Sequence, residues 1–391
     1  MSTHPRNAVH ALQQKLASLD HLRAFAIFFV FYFHYRIFPH PEWLEQPARF
    51  GWTGVDLFFV LSGYLIAGQL FKEVAATGTV QLKPFYIKRF FRIIPPYLLV
   101  LALYVLLPVF REKEMLPPLW KFLTFTQNFG LNLKTHGTFS HAWSLCVEEQ
   151  FYIVFPCLLA LLLYVKAGRK AFWLMPVLFA GGFLCRWWIY TQQVAPLNES
   201  PTFWVAWYRA IYYPVYNRLD GLLAGVAIAA LFQFRPHAKE WVNRYANLIF
   251  FVGVALLTVD WFVTQDSYSL VATVYGFPLV SAGYGLVVAA AVCPRCWLYR
   301  IKSRFTTLIA TLSYAIYLSH KGVIHVTQDL VSSLGLAKDS GWMMLVCTIT
   351  CILAAWLLRI LVEKPALKMR DRVLARTVVG HDAQQPQRKV A

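Results

Sequence analysis

Long apolar runs alternate with short polar segments along almost the whole chain. Ten such windows fall at roughly 20–38, 52–71, 94–110, 145–165, 171–190, 219–234, 245–264, 271–293, 306–327 and 342–362. A helix needs ~20 apolar residues to cross a bilayer whose hydrocarbon core is ~30 Å thick. The pattern therefore predicts an all-α integral membrane protein with about ten transmembrane helices, of which the third and sixth windows are the shortest. Neither a compositional linker nor a repeat divides them. One membrane domain is expected over residues 19–368, between an N-terminal segment at 1–18 and a polar, basic tail at 369–391.

Composition agrees, with 58% hydrophobic and 14% charged residues, whereas soluble domains hold about 45–50% and ~25%. Charge then adds orientation. With a cytoplasmic N-terminus, the loops on that side carry 24 Lys and Arg and the opposite loops 8, so the positive-inside rule puts both termini in the cytoplasm. The same asymmetry accounts for the net charge of +18 without nucleic acid, since basic loops face anionic lipid. Residues 1–18 lack an apolar core and a small-residue cleavage site, so the first helix is expected to serve as an uncleaved anchor. Seven scattered cysteines include one Cys-x-x-Cys, Cys293 to Cys296, without a second pair. No metal site is expected from it.

Polar groups inside the apolar windows are the candidates for chemistry, because a charge at mid-membrane costs ~2.5–3.5 kcal/mol on the insertion scale. The first window, LDHLRAFAIFFVFYFHYRIF, contains Arg23 and His34, eleven residues apart. At about 100° and 1.5 Å per residue they share one helix face and stand about 16 Å apart along it. Snorkelling of Arg23 and a backbone-bonded core role for His34 are the structural alternatives. Lys88, Arg89 and Arg92 lie in KPFYIKRFFRIIPPY, with Arg89 and Arg92 spaced as a fork for phosphate or as a basic flank on lipid headgroups. Asp56, Ser62 and Gly63 belong to the second window, Trp143, Ser144, Glu148 and Glu149 open the fourth, and His320 lies in the ninth. Gly63 suits close approach of a ligand or simply of another helix. From topology, His34, Asp56, Glu148 and His320 are expected in an outer layer and the arginines in an inner one. The aromatic-rich segment 191–218 suits interfacial anchoring better than carbohydrate stacking.

These stretches bring a family into view. LDHLRAFAIFFVFYFHY resembles the opening helix of the acyltransferase-3 family of membrane O-acyltransferases, with its Arg-x10-His signature. GVDLFFVLSGYLI, FYIKRFFRIIPPY, WSLCVEEQFY, RLDGLLAGVAIA, YAIYLSH and VEKPALK resemble its later motifs in the same order, across roughly residues 19–368. The resemblance implies transfer of an acyl group, most often acetyl from acetyl-CoA, to a hydroxyl of a surface or secreted glycan or a lipid-linked sugar. It implies a multi-pass protein of a bacterial inner membrane that uses acyl-CoA as co-substrate and holds no permanent cofactor. It is the standalone form, without a C-terminal hydrolase-like domain, that the chain resembles. By motif, Arg23 and His34 match the signature pair, Arg89 and Arg92 the Arg-x-x-Arg step, and Trp143, Ser144 and Glu148 the Trp-Ser-Leu-x-x-Glu step; Glu149 is a weaker match.

The chemistry fits these residue types. An imidazole titrates near neutral pH and makes an efficient general base for a hydroxyl, Glu148 would orient it, and the arginines would grip the phosphates of CoA. A secondary transporter is the rival class, since intramembrane Arg, His and Glu also mark ion relays. The absence of an inverted repeat and of paired broken helices speaks against it.

Overall fold

The computed structural model describes residues 5–382, with side chains from 17 to 376. Among the described residues are eleven helices of fifteen residues or more, and no strand. They are α1 (Pro5–Tyr35), α2 (Gly54–Thr77), α3 (Leu82–Leu106), α4 (Trp143–Tyr164), α5 (Leu174–Ile189), α6 (Asp220–Phe234), α7 (Ala246–Val263), α8 (Phe277–Ala291), α9 (Arg304–Ser332), α10 (Gly341–Leu358) and α11 (Lys364–Asp382). Each predicted window carries one of α1 to α10. Seven helical segments are long and apolar enough to cross a membrane, and they contain α2, α3, α4, α5, α7, α8 and α10. The helical membrane class rests on these seven.

The short third window has a structural explanation. Helix α3 begins at Leu82 and runs through Pro95 and Pro96 without ending. Lys88, Arg89 and Arg92 therefore stand on the helix itself, not on a flank before it. Beside the prolines, which donate no backbone bond, the Tyr314 hydroxyl of α9 donates to the carbonyl of Ile93 at 2.9 Å.

Helices α2 and α8 are interior, whereas α5, α7 and α10 present most of their surface outward. Phe251, Val259 and Phe262 of α7, with Leu345, Ile349 and Leu353 of α10, form part of that exposed apolar surface. Such a surface would be an aggregation hazard in water and is matched by lipid. Helices α2 and α6 approach backbone to backbone. A side chain at Gly63 would run into the carbonyl oxygen of Leu222, and one at Gly225 into that of Val60. Gly63 thus serves the packing of two backbones, the structural alternative of the two expected for it.

Part of the aromatic segment 191–218 departs from expectation, while Tyr216 is exposed. Trp207, Tyr212 and Tyr213 are only 3%, 7% and 3% exposed, so they are not membrane anchors. Trp207 donates from Nε1 to the Thr273 hydroxyl at 2.8 Å, and Tyr212 packs against Arg218. The Arg218 guanidinium lies 4.6 Å from the ring centre of Tyr212, 5.2 Å from that of Trp143 and 4.2 Å from that of Phe277. The same group donates to both oxygens of Asp56 at 2.9 Å. Asp56 is thereby a partner of Arg218 within the core. Arg186 of α5 makes an equivalent buried pair with Asp220, at 2.6 and 3.2 Å.

Candidate active site

Helices α1, α2, α3, α4 and α9 enclose a cavity of about 400 Å³. Arg23, Arg89, Arg92 and Gln69 line it together with Ser62, Ser144, Glu148, Tyr152 and Tyr317. Five expected site residues from three helices meet Arg23 of α1 there, although up to 125 positions separate them in the chain. Three cations against one carboxylate leave the lining net positive.

Each charge is held differently. Arg89 lies 5.1 Å from the ring centre of Tyr152 and has no carboxylate within ion-pair distance among the described residues. Arg92 is pinned by Glu363, which also lies 3.8 Å from Arg359. Arg23 bonds Asp20, one turn earlier, at 3.3 Å. Lys88 is exposed and does not line the cavity. Glu148 accepts a hydrogen bond from the Ser62 hydroxyl at 2.7 Å. Its neighbour Glu149 points elsewhere, as the 100° step between adjacent helical residues requires, and its Oε1 is buried without a partner.

His34 does not line this cavity; it approaches it through His320, whose ring lies 6.1 Å from that of the lining residue Tyr317. The expected orienting contact from Glu148 does not form, because Glu148 is taken up by Ser62. His34 pairs with His320 instead, Nδ1 to Nε2 at 2.9 Å. The two expected layers merge accordingly: Glu148 sits with the arginines, Asp56 with Arg218, and the two histidines with each other.

The bonding of His320 determines which nitrogen of His34 is free. Nδ1 of His320 lies 3.0 Å from the carbonyl of Ile316 and 2.8 Å from that of Tyr317. Carbonyl oxygens only accept, so this nitrogen carries the proton. In the neutral ring Nε2 is then an acceptor, and His34 Nδ1 must donate to it. The lone pair of His34 is left on Nε2, which has no hydrogen-bond partner among the described residues.

Several neighbours escaped the sequence reading. His141, immediately before the Ala-Trp-Ser step, has its ring 5.8 Å from that of His34 and 4.8 Å from that of His320. Tyr317, three residues before His320, is 2.5 Å from the Ser144 hydroxyl and donates to the carbonyl of His141. Behind them Lys321 forms a fully buried ion pair with Glu112 at 2.8 Å. Tyr317 at i−3 from His320 shares its helix face, a spacing visible in YAIYLSH; Glu112, in a connection, carries no such signal.

With this geometry in view, comparison with known proteins is informative. The model of a family described as an acyltransferase domain matches residues 16–360. Peptidoglycan O-acetyltransferase OatA of Listeria monocytogenes is 30% identical over 336 residues, covering 80% of this chain and 50% of the relative. A putative O-acetyltransferase of Staphylococcus aureus strain COL is 29% identical over 329 residues, 79% of this chain and 50% of its own. O-acetyltransferase OatA of Staphylococcus aureus strain NCTC 8325 is 26% identical over 326 residues, with the same coverage of 79% and 50%. The chain spans about half the length of these curated relatives. No solved structure matches it. The family match covers most of the chain and coincides with the helices that build the cavity: this protein belongs to the acyltransferase-3 family.

Proposed function

We propose that the chain transfers an acetyl group from acetyl-CoA to a hydroxyl of a cell-envelope glycan or lipid-linked sugar, with His34 as general base. The observation that carries this reading is the positive cavity of Arg23, Arg89 and Arg92, which ends at Ser144 and Tyr317 beside the His34–His320 pair. The name of the Listeria relative, a peptidoglycan O-acetyltransferase, supports a glycan acceptor. In this reading α1 to α10 span a bacterial inner membrane as one domain over residues 19–368, with both termini cytoplasmic. The 24-to-8 distribution of Lys and Arg supports that orientation.

The arginines would hold the phosphates of CoA, with Arg89 the freest to engage them bidentately. Glu148 and Ser62 would orient the donor's polar arm within the cavity. At the reacting end, His34 Nε2 takes the acceptor's hydroxyl proton as its oxygen attacks the thioester carbonyl. The carbon–sulfur bond then breaks, and the proton passes from His34 to the departing thiolate. His320 keeps His34 in the reactive tautomer.

Purified protein with labelled acetyl-CoA and soluble envelope glycan provides the test. Losing a general base typically costs ~10²–10⁴ in rate, so His34→Gln should nearly abolish transfer while folding is kept. Arg89→Ala should raise the half-saturating acetyl-CoA concentration, and Arg89→Lys should rescue only in part. A His34→Gln protein with wild-type turnover would remove the base from this mechanism.

A further inference from the structure

The end of α1 that carries His34 opens on a second cavity, away from the arginine-lined one. Three connections fold over it, at residues 36–53, 203–217 and 264–277, and enclose about 400 Å³. Its walls are aromatic: Trp52, Trp207, Tyr208, Tyr212, Tyr268 and Phe277. The rings meet largely edge to face, Trp207 with Tyr268 at 5.2 Å and 85°, and Trp52 with Phe277 at 5.7 Å and 82°, so several flat faces are held at fixed angles. Arg36, Arg49, Glu45 and Asp266 also line it. Arg36 donates to Glu45 at 2.9 Å, Arg49 donates to the carbonyl of Gln265, and Asp266 is exposed.

The charge balance separates the two cavities. Three cations to one carboxylate suit the polyphosphate of a nucleotide donor, whereas two cations to two carboxylates offer a polyanion no net attraction. Rigid ring faces combined with both donors and acceptors match a neutral pyranose. Its C–H faces stack on the rings, and its hydroxyls, which both donate and accept, find partners of each kind.

Position links this cavity to the reacting centre. Phe33 lines it and precedes His34, with the two rings 5.6 Å apart. Tyr212 lines it and packs 4.9 Å from Trp143, whose ring centre also lies 6.2 Å from that of Phe59 on the wall of the inner cavity. Trp143 thus touches the wall of both.

We infer that this outer cavity is the acceptor subsite, holding a neutral pyranose of a glycan chain so that a neighbouring hydroxyl reaches His34. The inference rests on the acyl-transfer reading and deepens it. Lipid headgroups, the other neighbours of an aromatic rim, would not require rings turned inward around balanced charges.

The test uses the full chain in proteoliposomes, with labelled acetyl-CoA and soluble peptidoglycan strands. Trp52→Ala and Tyr268→Ala should each raise the half-saturating glycan concentration about tenfold, the equivalent of one good contact. The half-saturating acetyl-CoA concentration should stay within about twofold, because the donor enters elsewhere. Ser267→Trp fills the mouth of the cavity without removing a packed ring, and should act in the same way. Unchanged glycan saturation in all three variants would overturn the subsite and leave acyl transfer standing. An equal shift in donor and glycan saturation would also overturn it, as a sign of general damage. Wild-type protein that moves no label to glycan would overturn both readings.

Discussion

A single hydrogen bond, from His34 to His320, carries most of the chemical argument. His320→Leu removes the acceptor that holds the His34 tautomer. Turnover should fall at least about tenfold, set against the ~10⁴ that a wrong tautomer costs a catalytic triad. His320→Gln restores an acceptor and should recover part of the loss, while a merely packing role would make Leu the better substitute. The pair behind the histidines makes a different demand. Glu112→Ala leaves Lys321 charged, buried and unpaired, which should cost about 3–5 kcal/mol. A lowered melting temperature in detergent, restored by combining Glu112→Leu with Lys321→Met, is the expected result. An unchanged melting temperature for Glu112→Ala would mean that water reaches Lys321.

Helix contacts decide whether the residues meet at all. Because α2 and α6 touch backbone to backbone at Gly63 and Gly225, Gly63→Val should force them apart. Membrane abundance and activity should fall together, since Ser62 and its partner Glu148 move with α2. Normal abundance with lost activity would instead point to a ligand at Gly63. Helix α3 is tied to the segment after α10 through Arg92 and Glu363. Glu363→Gln should leave Arg92 less firmly placed and raise the half-saturating acetyl-CoA concentration several-fold with little change in maximal rate, a pattern read directly from saturation curves. Helical periodicity made α1 legible from the chain: Pro5–Tyr35 is one unbroken helix, on which an eleven-residue spacing brings Arg23 and His34 to one side. The Trp-Ser-Leu-x-x-Glu match singled out Glu148 over Glu149, and only Glu148 lines the cavity.

For the molecule as a whole, the proposed sidedness puts Lys88 and Asp266 on opposite faces of the membrane. Single cysteines at these two positions, in a protein with the exposed Cys157 replaced by Ser, should react with impermeant maleimide from opposite sides of intact cells. Labelling of both from one side would refute the ten-span arrangement. The arginines line the inner cavity and Asp266 the outer one; with the proposed sidedness, donor and acceptor would approach the histidines from opposite faces. Such an arrangement suits a cytoplasmic thioester and an envelope sugar that never share a compartment.

The apolar windows by themselves determined the helical membrane class, because a lipid-spanning backbone must satisfy its hydrogen bonds internally and its length is set by the bilayer. The ordered motifs likewise determined the family and most of the candidate residues. Partnership, however, was a tertiary decision. Glu148 was expected beside His34, but it bonds Ser62; His34 bonds His320, 286 positions away. Asp56 was a candidate for the site, but Arg218, 162 positions away, takes both of its oxygens. Trp207, Tyr212 and Tyr213 of 191–218 looked like lipid anchors, but they are buried, Tyr212 against that same arginine. Local periodicity reports which face a side chain occupies, while the choice among distant polar partners depends on which helices pack together. In a low-dielectric interior a buried polar group left without a complement is costly, and the chain order carries no record of which partner it finds.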